Sequence, residues 1–491
     1  MTKVNLEGKP LHFIGIGGIG MSALAHILAQ RQLPVSGSDV RRSHITDRLE
    51  SLGARIFYSQ EAKNLESITA TNYFTSPKIA LTERNEKTVT IIDETLKTDS
   101  FSLPQIICST AIAKSNPEYQ AAIELGCPIF HRSDILAALI EQYYSIAVSG
   151  THGKTTTSSL ISYLLLEADL DPTIIVGGEV DAWQGNARAG KGKYLVAEAD
   201  ESDGSLVQHY PKIGIITNIE LDHPDRYQSL NEVINIFQTF AHQCEIVIGC
   251  WDDEVVKNNI DSHITYSLNV ESNANYIARN IRYHARGSEA EIWEKGQFLG
   301  ILQLQLLGHH NLSNALSAIA VGRQIGLDFA VIAHALANFS GTKRRFEFKG
   351  EINNIRFIDD YAHHPREIAV TLEAAKLKVL EGNYQRVVAV FQPHRYSRTA
   401  TFMAEFARSF SDADVVIITD IYSAGETNVS GVSGRQLAEQ IKQHHLQVYY
   451  HPELTSLPAF LHSAILRSDD LVVFLGAGNL NQYIEPTIEL Y

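Results

Sequence analysis

The stretch SIAVSGTHGKTTTSSLISYLL, Ser145 to Leu165, decides how the chain is read. An apolar run of strand type ends in Gly150, Thr151, His152, Gly153, Lys154, Thr155 and Thr156, and a helical pattern follows. Strand, glycine turn and helix in that order present backbone N–H groups and an ammonium to phosphate oxygens. The turn is shorter than G-x-x-x-x-G-K-[ST], because Val148 stands where the first glycine would be. In a nucleotide triphosphate site, Lys154 would bridge the β- and γ-phosphates, Thr155 would ligate Mg²⁺ and the amides from Thr151 onward would cradle oxygens. A glycine turn with incidental Lys and Thr is the plain alternative, and the strand-turn-helix context argues against it.

Working outward, two further regions have the same layout. LHFIGIGGIGMSALAHILAQ (Leu11–Gln30) is a short strand, a glycine turn and a helix. Toward the C-terminus, QRVVAVFQPHRYSRT, DADVVIITDIYSAGE and DDLVVFLGAGNL are continuous apolar runs separated by amphipathic stretches. Such runs alternating with helices predict parallel sheets covered on both faces. The length of 491 residues exceeds what one core supports and suggests about three domains. The reading is α/β with three domains in series: residues 1–140, 141–340 and 341–491. The segment from 251 to 307 alternates apolar and polar residues and predicts an antiparallel appendage on the middle domain. Lys78–Ser102 is polar and irregular and predicts a surface insertion.

Bulk properties narrow the function classes. A net charge of −15 lacks the basic footprint of a nucleic-acid binder. Cys108, Cys127, Cys244 and Cys250 show no zinc-ligand spacing and read as buried apolar residues or free thiols in a reducing compartment. No apolar run reaches the roughly 18 to 20 residues that span a bilayer, and the N-terminus does not read as a signal peptide. A cytoplasmic enzyme is the expectation.

Other motifs carry chemistry, each with a plain alternative. Gly15-x-Gly17-x-x-Gly20, with Gly18 between and Asp39 about 20 residues on, fits the diphosphate fingerprint. The glycines let a diphosphate approach the backbone and Asp39 can accept a ribose hydroxyl; in isolation the pattern would mean NAD. YLVAEADESDGS and IGIITNIELDHPD place Glu198, Asp200, Glu201, Asp203, Asp222 and His223 at strand ends, where metals of a phosphoryl transfer could sit or where acidic turns are merely solvated. Asn311 and Asn314 share a helix face and could read an adenine edge, although helix caps are the commoner use. Arg344, Arg345, Arg395 and Arg398 lie beside aromatics, as carboxylate or phosphate binders do. IDDYAHHPREI closes a strand with Asp359, Asp360, Tyr361, His363 and His364.

Over essentially the whole chain, the order GTHGKTTT, EADESD, TNIELDH, GHHNLSNA, RRF and DDYAHHP resembles the Mur ligases, ATP-dependent enzymes that build the peptidoglycan peptide on a UDP-sugar. HFIGIGGIGMS, HHPREI, FQPHRYSRT and YSAGE resemble the member that makes the first addition, of L-alanine to UDP-N-acetylmuramate. The resemblance implies a Rossmann-like UDP-binding domain, a P-loop ATP-binding domain and a Rossmann-like amino-acid-binding domain. It implies a UDP-sugar at Gly15, Gly17, Gly18 and Gly20, and ATP at Gly150–Thr156 with Asn311 and Asn314. Mg²⁺ would be held by Thr155, Glu198 and His223, as two ions. Arg345 and Asp360 would reach the nucleotide from the domain junction, and His363, Arg395 and Arg398 would meet the alanine carboxylate. A monomer or weak homodimer without nucleic-acid or membrane partners is expected. Several relatives carry a carbamoylated lysine ligand where Phe237 stands here, so that ligand is expected to be absent; Pro224 replaces the commoner methionine. A dehydrogenase, a non-catalytic UDP-sugar sensor and a ligase adding a ready-made tripeptide are the rival readings.

Overall fold

The computed structural model describes residues 3–69, 103–224 and 226–491. The expected insertion at Lys78–Ser102 lies outside the described residues. By contact density the chain forms two compact units, Met1–Leu139 with Ala187–Ala189, and Ile140–Asn186 with Gly190–Tyr491.

The first unit contains β1 (Leu11–Ile14), β2 (Val35–Ser38), β3 (Arg55–Phe57), β4 (Gln105–Cys108) and β5 (Ile129–His131). They pair in parallel in the order β3-β2-β1-β4-β5, the arrangement of a Rossmann-like sheet. The helix Ile19–Gln30 leaves the glycine turn after β1 and buries every residue from Met21 to Ala29, which is why its sequence lacks a polar face. Inside this unit His12 Nε2 lies 2.9 Å from Glu118, whose other oxygen accepts from Ser38, so a fully buried polar contact ties β1 and β2 to the helix Pro117–Glu124.

A ten-stranded sheet follows, nearly all of it in the second unit. Its strands are β6 (Tyr144–Ser149), β7 (Thr173–Val180), β8 (Gly185–Arg188), β9 (Tyr194–Glu198), β10 (Ile213–Ile216), β11 (Ile246–Cys250), β12 (Ile264–Ser267), β13 (Tyr276–His284), β14 (Gly287–Glu294) and β15 (Gln297–Leu304). Their order is β15-β14-β13-β12-β11-β10-β6-β9-β7-β8. β14 pairs antiparallel with both β13 and β15. Residues 251 to 275 differ from the expectation: they form a short helix, Glu254–Asn259, and β12, which runs parallel to β11. Asp253 caps that helix through Val256 N–H and supplies the stop that strand alternation alone does not reveal. Helices Lys154–Glu167 and His309–Gln324 share one core over this sheet, with Leu160, Leu164, Leu312, Leu316 and Ile319 fully buried. At about 1.5–3 kcal/mol for each such side chain, this packing fixes the phosphate loop against the helix that carries Asn311 and Asn314.

The third sheet comprises β16 (Glu347–Ile352), β17 (Ile355–Asp360), β18 (Arg386–Phe391), β19 (Val415–Ile418), β20 (Val448–Tyr450) and β21 (Asp470–Leu475), in the order β16-β17-β21-β18-β19-β20. All its pairings are parallel except β16 with β17. The three apolar runs of the C-terminal sequence are β18, β19 and β21.

Candidate active site

Strand register assembles the site. Val148 pairs with Glu198 and Ser149 with Ile216, so β6, β9 and β10 end at one edge and their following loops converge. Gly150 has φ +134°, and a Cβ there would stand 2.0 Å from Thr217 Oγ1, so this position admits only glycine. Thr217 donates to His152 O at 2.6 Å, while Asn218 Oδ1 accepts from His152 N at 2.8 Å and Asn218 O from Thr151 N at 3.0 Å. Thr217 and Asn218 therefore hold the loop's shape from the end of β10. The sequence offered TN in this motif, without a sign of that role.

Lys154 folds back under the loop. Its Nζ donates to Gly150 O at 2.7 Å, to Thr151 O at 3.1 Å and to both Glu201 oxygens at 2.9 and 3.1 Å. Burial alone would lower this amine's pKa, but Glu201, Asp200 and Glu198 outweigh it and hold Lys154 above the usual lysine range, as ammonium. Glu198 accepts from Thr155 Oγ1 at 3.2 Å and from Gly177 N at 2.6 Å. Burial raises its pKa while Lys154 opposes the rise. Thr155 and Glu198 thus offer adjoining hard oxygens, the donor chemistry that Mg²⁺ prefers. His223 has φ +59°, and its imidazole pKa is lowered by burial against the pull of Asp222, which keeps a nitrogen lone pair available. Phe237, on the inner face of the helix Leu230–Gln243, is fully buried in the core.

A cavity of about 370 Å³ adjoins the loop and is lined by His152, Gly153, Thr156, Asn311, Asn314, Arg345 and Asp360. Gly308 starts the helix, without a side-chain cap, so Asn311 is no cap; its Nδ2 donates to Leu307 O at 2.8 Å and its Oδ1 accepts from Asn314 at 3.4 Å. Apolar Leu268, Leu306 and Leu307 with Cys250 and Tyr266 complete a wall suited to a flat heterocycle. Asp360 accepts from Phe346 N at 2.7 Å and Ala362 N at 2.8 Å, and burial raises its pKa against the charge of Arg345. Arg345 lies over the Tyr361 ring at 5.4 Å.

Side chains of the third sheet's loops close the site. Glu367 accepts from His363 N and His364 N at the start of helix Pro365–Leu380 and meets His152 Nδ1 at 3.2 Å. Arg366 pairs with Glu220. His152, Glu220 and His364 bring one potential ligand atom each within 4.8 Å of one another. With Glu220 taken by Arg366 and His364 Nδ1 accepting from Arg366 N–H at 3.4 Å, this trio acts as a polar clasp between the phosphate loop and that helix. His363 and His394 are pushed down to about 4 and about 3 by burial, so both are neutral imidazoles at neutral pH. Arg395 has φ +70° and lies 3.6 Å from Glu426. Arg398 is 2% exposed and forks onto Asp222, so in the free protein its guanidinium is matched to a carboxylate.

In the first unit, Gly15 has φ +79° and a Cβ at Gly20 would meet Arg132 at 3.1 Å. The loop amides are largely committed: Gly15 N and Ile16 N to Ser38 O, Gly18 N to Gly15 O, and Gly17 N to Asp39 Oδ2 at 2.9 Å. Asp39 Oδ1 also accepts from Arg41 N, which makes Asp39 a brace of its own turn. An anion here would meet the first-turn N–H groups of helix Ile19–Gln30.

Comparison with known proteins matches three family models in series: residues 10–144 to the Mur ligase family catalytic domain, 148–322 to the Mur ligase middle domain and 344–478 to the Mur ligase glutamate ligase domain. A UDP-N-acetylmuramate–L-alanine ligase of Gloeothece citriformis is 62% identical over 99% of this chain and 98% of its own length. The similarly named protein of Microcystis aeruginosa is 60% identical, over 100% and 98%. Among solved structures, the UDP-N-acetylmuramate–alanine ligase MurC of Thermotoga maritima aligns with TM-score 0.78 at 27% identity, covering 98% of this chain and 99% of that one. A murein peptide ligase of Psychrobacter arcticus shares the fold, with TM-score 0.66 at 20% identity over 98% of both chains.

Proposed function

The chain belongs to the Mur ligase family, and we propose that it joins L-alanine to the lactyl carboxylate of UDP-N-acetylmuramate, driven by ATP, in peptidoglycan precursor synthesis. The observation that carries this reading is the full-length match to ligases of that name together with an intact Lys154, Thr155 and Glu198 constellation. No described helix is long and apolar enough to cross a membrane. We place the enzyme in the cytoplasm, as a monomer or weak homodimer.

The residue roles follow from charge and geometry. A carboxylate is a poor electrophile, so its oxygen first attacks the γ-phosphorus of ATP, giving an acyl phosphate and ADP. The alanine amine then attacks the acyl carbon and phosphate leaves. Lys154, kept cationic, serves the β- and γ-phosphates, and the loop amides add donors aimed at the same oxygens. Thr155 and Glu198 would hold one Mg²⁺, and Glu198 with His223 a second; bound Mg²⁺ supplies charge neutralisation for the transferring group. Asn311 and Asn314 face the adenine, and Arg345 and Asp360, which line the same cavity, reach the nucleotide. The UDP moiety falls to Gly15–Gly20 of the first unit. His363, Arg395 and Arg398 receive the amino acid. The clasp of His152 with Glu367 and Arg366 with Glu220 holds the third sheet's loops over the phosphates and excludes water that would hydrolyse the acyl phosphate.

The deciding assay measures phosphate release with UDP-N-acetylmuramate and Mg²⁺-ATP, comparing L-alanine, glycine, L-serine and an L-alanyl tripeptide. L-alanine is expected to support the highest kcat/KM. Release with the tripeptide alone would replace this reading with the recycling reaction.

A further inference from the structure

The glycine turn of the first unit backs onto a polar cluster closed to solvent. His12, Ser36, Ser38, Asn64 and Glu118 are each at most 2% exposed. Parallel strands covered on both faces normally carry apolar side chains throughout. Yet β2 reads Val-Ser-Gly-Ser and is buried along its whole length, with both hydroxyls on one face. Glu118 gathers the cluster: one oxygen meets His12 Nε2 at 2.9 Å and accepts from Asn64 Nδ2 at 3.0 Å, and the other accepts from Ser38 Oγ. His12 Nδ1 lies 2.9 Å from Ser36 Oγ. Burying a carboxyl group is costly, and this one has partners on both oxygens.

The cluster is tied to the turn through β2 and through the loop after β4. Ser38 O accepts Gly15 N at 2.8 Å and Ile16 N at 2.9 Å, so the residue whose hydroxyl reaches Glu118 also holds two amides of the turn. Ile16 is seated directly on the same strand, where a Cβ at Gly37 would lie 2.6 Å from Ile16 Cδ1. From the loop after β4, Ile112 Cδ1 would stand 3.2 Å from a Cβ built on Gly15. That loop ends at Asn116, which caps the helix Pro117–Glu124 by accepting from Glu118 N at 3.0 Å. Glu118 therefore joins the two segments against which the turn is packed.

We infer that Glu118 is a positioning residue for the UDP-sugar, setting the shape of the glycine turn through Ser38. This inference rests on the reading of Gly15–Gly20 as the diphosphate site. A hydroxyl gripped by a buried carboxyl fixes the end of β2, and the Ser38 carbonyl then fixes Gly15 and Ile16. An apolar side chain at position 38 would fill the same space without that hold. A turn already in its binding shape spares the diphosphate the cost of ordering it.

The test uses calorimetry on the full chain with UDP-N-acetylmuramate and with Mg²⁺-ATP, beside amide hydrogen exchange over residues 11–18. Ser38→Ala and Glu118→Gln are each expected to weaken the UDP-sugar by about tenfold or more, with Mg²⁺-ATP binding held within about twofold. Exchange at Gly15 and Ile16 should speed up in both. The double variant should bind no more weakly than the worse single, because both substitutions cut one connection. Leu139→Ala truncates a fully buried side chain of helix Arg132–Gln142 outside the cluster; it should lower stability and leave the UDP-sugar Kd near wild type. A lowered thermal transition with unchanged UDP-sugar binding in Ser38→Ala and Glu118→Gln would overturn the inference and leave the cluster a tie within the core. Equal weakening by Leu139→Ala would overturn it too, since binding would then simply follow stability. If Glu118→Gln does not fold, Ser38→Ala carries the same comparison. Gly17→Val separates the two levels: if it binds the UDP-sugar normally, the diphosphate reading of the turn fails and the inference with it.

Discussion

Lys154 and Glu201 form a buried pair whose members depend on each other, with side chains 12% and 3% exposed. Replacing Lys154 by Ala removes the cation from the phosphoryl-transfer site, and turnover should fall by several orders of magnitude. It also strands Glu201, so the variant should lose on the order of 3–5 kcal/mol of stability in urea unfolding. Lys154→Ala with Glu201→Gln should recover most of that stability and none of the activity; recovery of neither would mean that Glu201 is not the lysine's counter-charge. His26 illustrates the opposite case, a titratable group buried without a counter-charge. Burial in helix Ile19–Gln30 holds it down from 6.5 to about 4, with Nε2 lacking a hydrogen-bond partner. Its folded pKa is depressed, so the unfolded chain takes up a proton first as pH falls. Stability is therefore unaffected above pH 6.5 and is lost progressively down to about pH 4. The loss amounts to on the order of 3 kcal/mol, and His26→Leu should abolish this share of the acid sensitivity in unfolding curves recorded from pH 7 to about 4.

Single elements turn such residues into a site, and the end of β7 shows how narrowly. Gly177 N donates to Glu198 Oε2, and a Cβ on Gly177 would lie 2.5 Å from that oxygen. Gly177→Ala keeps a permitted backbone but pushes the carboxylate off Thr155. Its kcat/KM for Mg²⁺-ATP should drop at least tenfold, with the melting temperature nearly unchanged, by steady-state kinetics and calorimetry. Unaltered kinetics would show that the Thr155–Glu198 contact is dispensable. At this scale much was legible in the sequence, because a strand, its turn and the next helix are contiguous: Ser145–Leu165 reads directly as β6, the loop and helix Lys154–Glu167. The parallel sheets were legible for the same reason, through continuous Val and Ile runs such as Val387–Phe391. What stayed hidden depends on long-range pairing. That Arg398 would meet Asp222 in the free protein, that Glu201 would pin Lys154, and that Thr217 would fill the space beside Gly150 are facts of register between strands. Likewise β12 joined the parallel sheet because its neighbour β11 was there to receive it, while its own four residues carry no direction.

Across the whole molecule there are two compact units with separate cores, and the proposed function assigns the uridine diphosphate to the first and ATP to the second. Binding of the UDP-sugar should then be independent of the phosphate loop. In calorimetry on the full chain, UDP-N-acetylmuramate should bind without ATP or Mg²⁺, and Lys154→Ala should change its Kd by less than about twofold, since sites without shared partners act additively. Gly17→Val should instead abolish that binding. Its Cβ would stand 2.8 Å from Asp39 Oδ2 and 3.4 Å from Thr46 Cγ2, breaking the brace that shapes the turn before helix Ile19–Gln30. The same variant should still bind Mg²⁺-ATP, because its damage is confined to the first unit. If Lys154→Ala weakened the UDP-sugar as much as Gly17→Val, the two ligands would share one site. Binding of NADH in place of the UDP-sugar would restore the dehydrogenase meaning of the Gly15–Gly20 fingerprint.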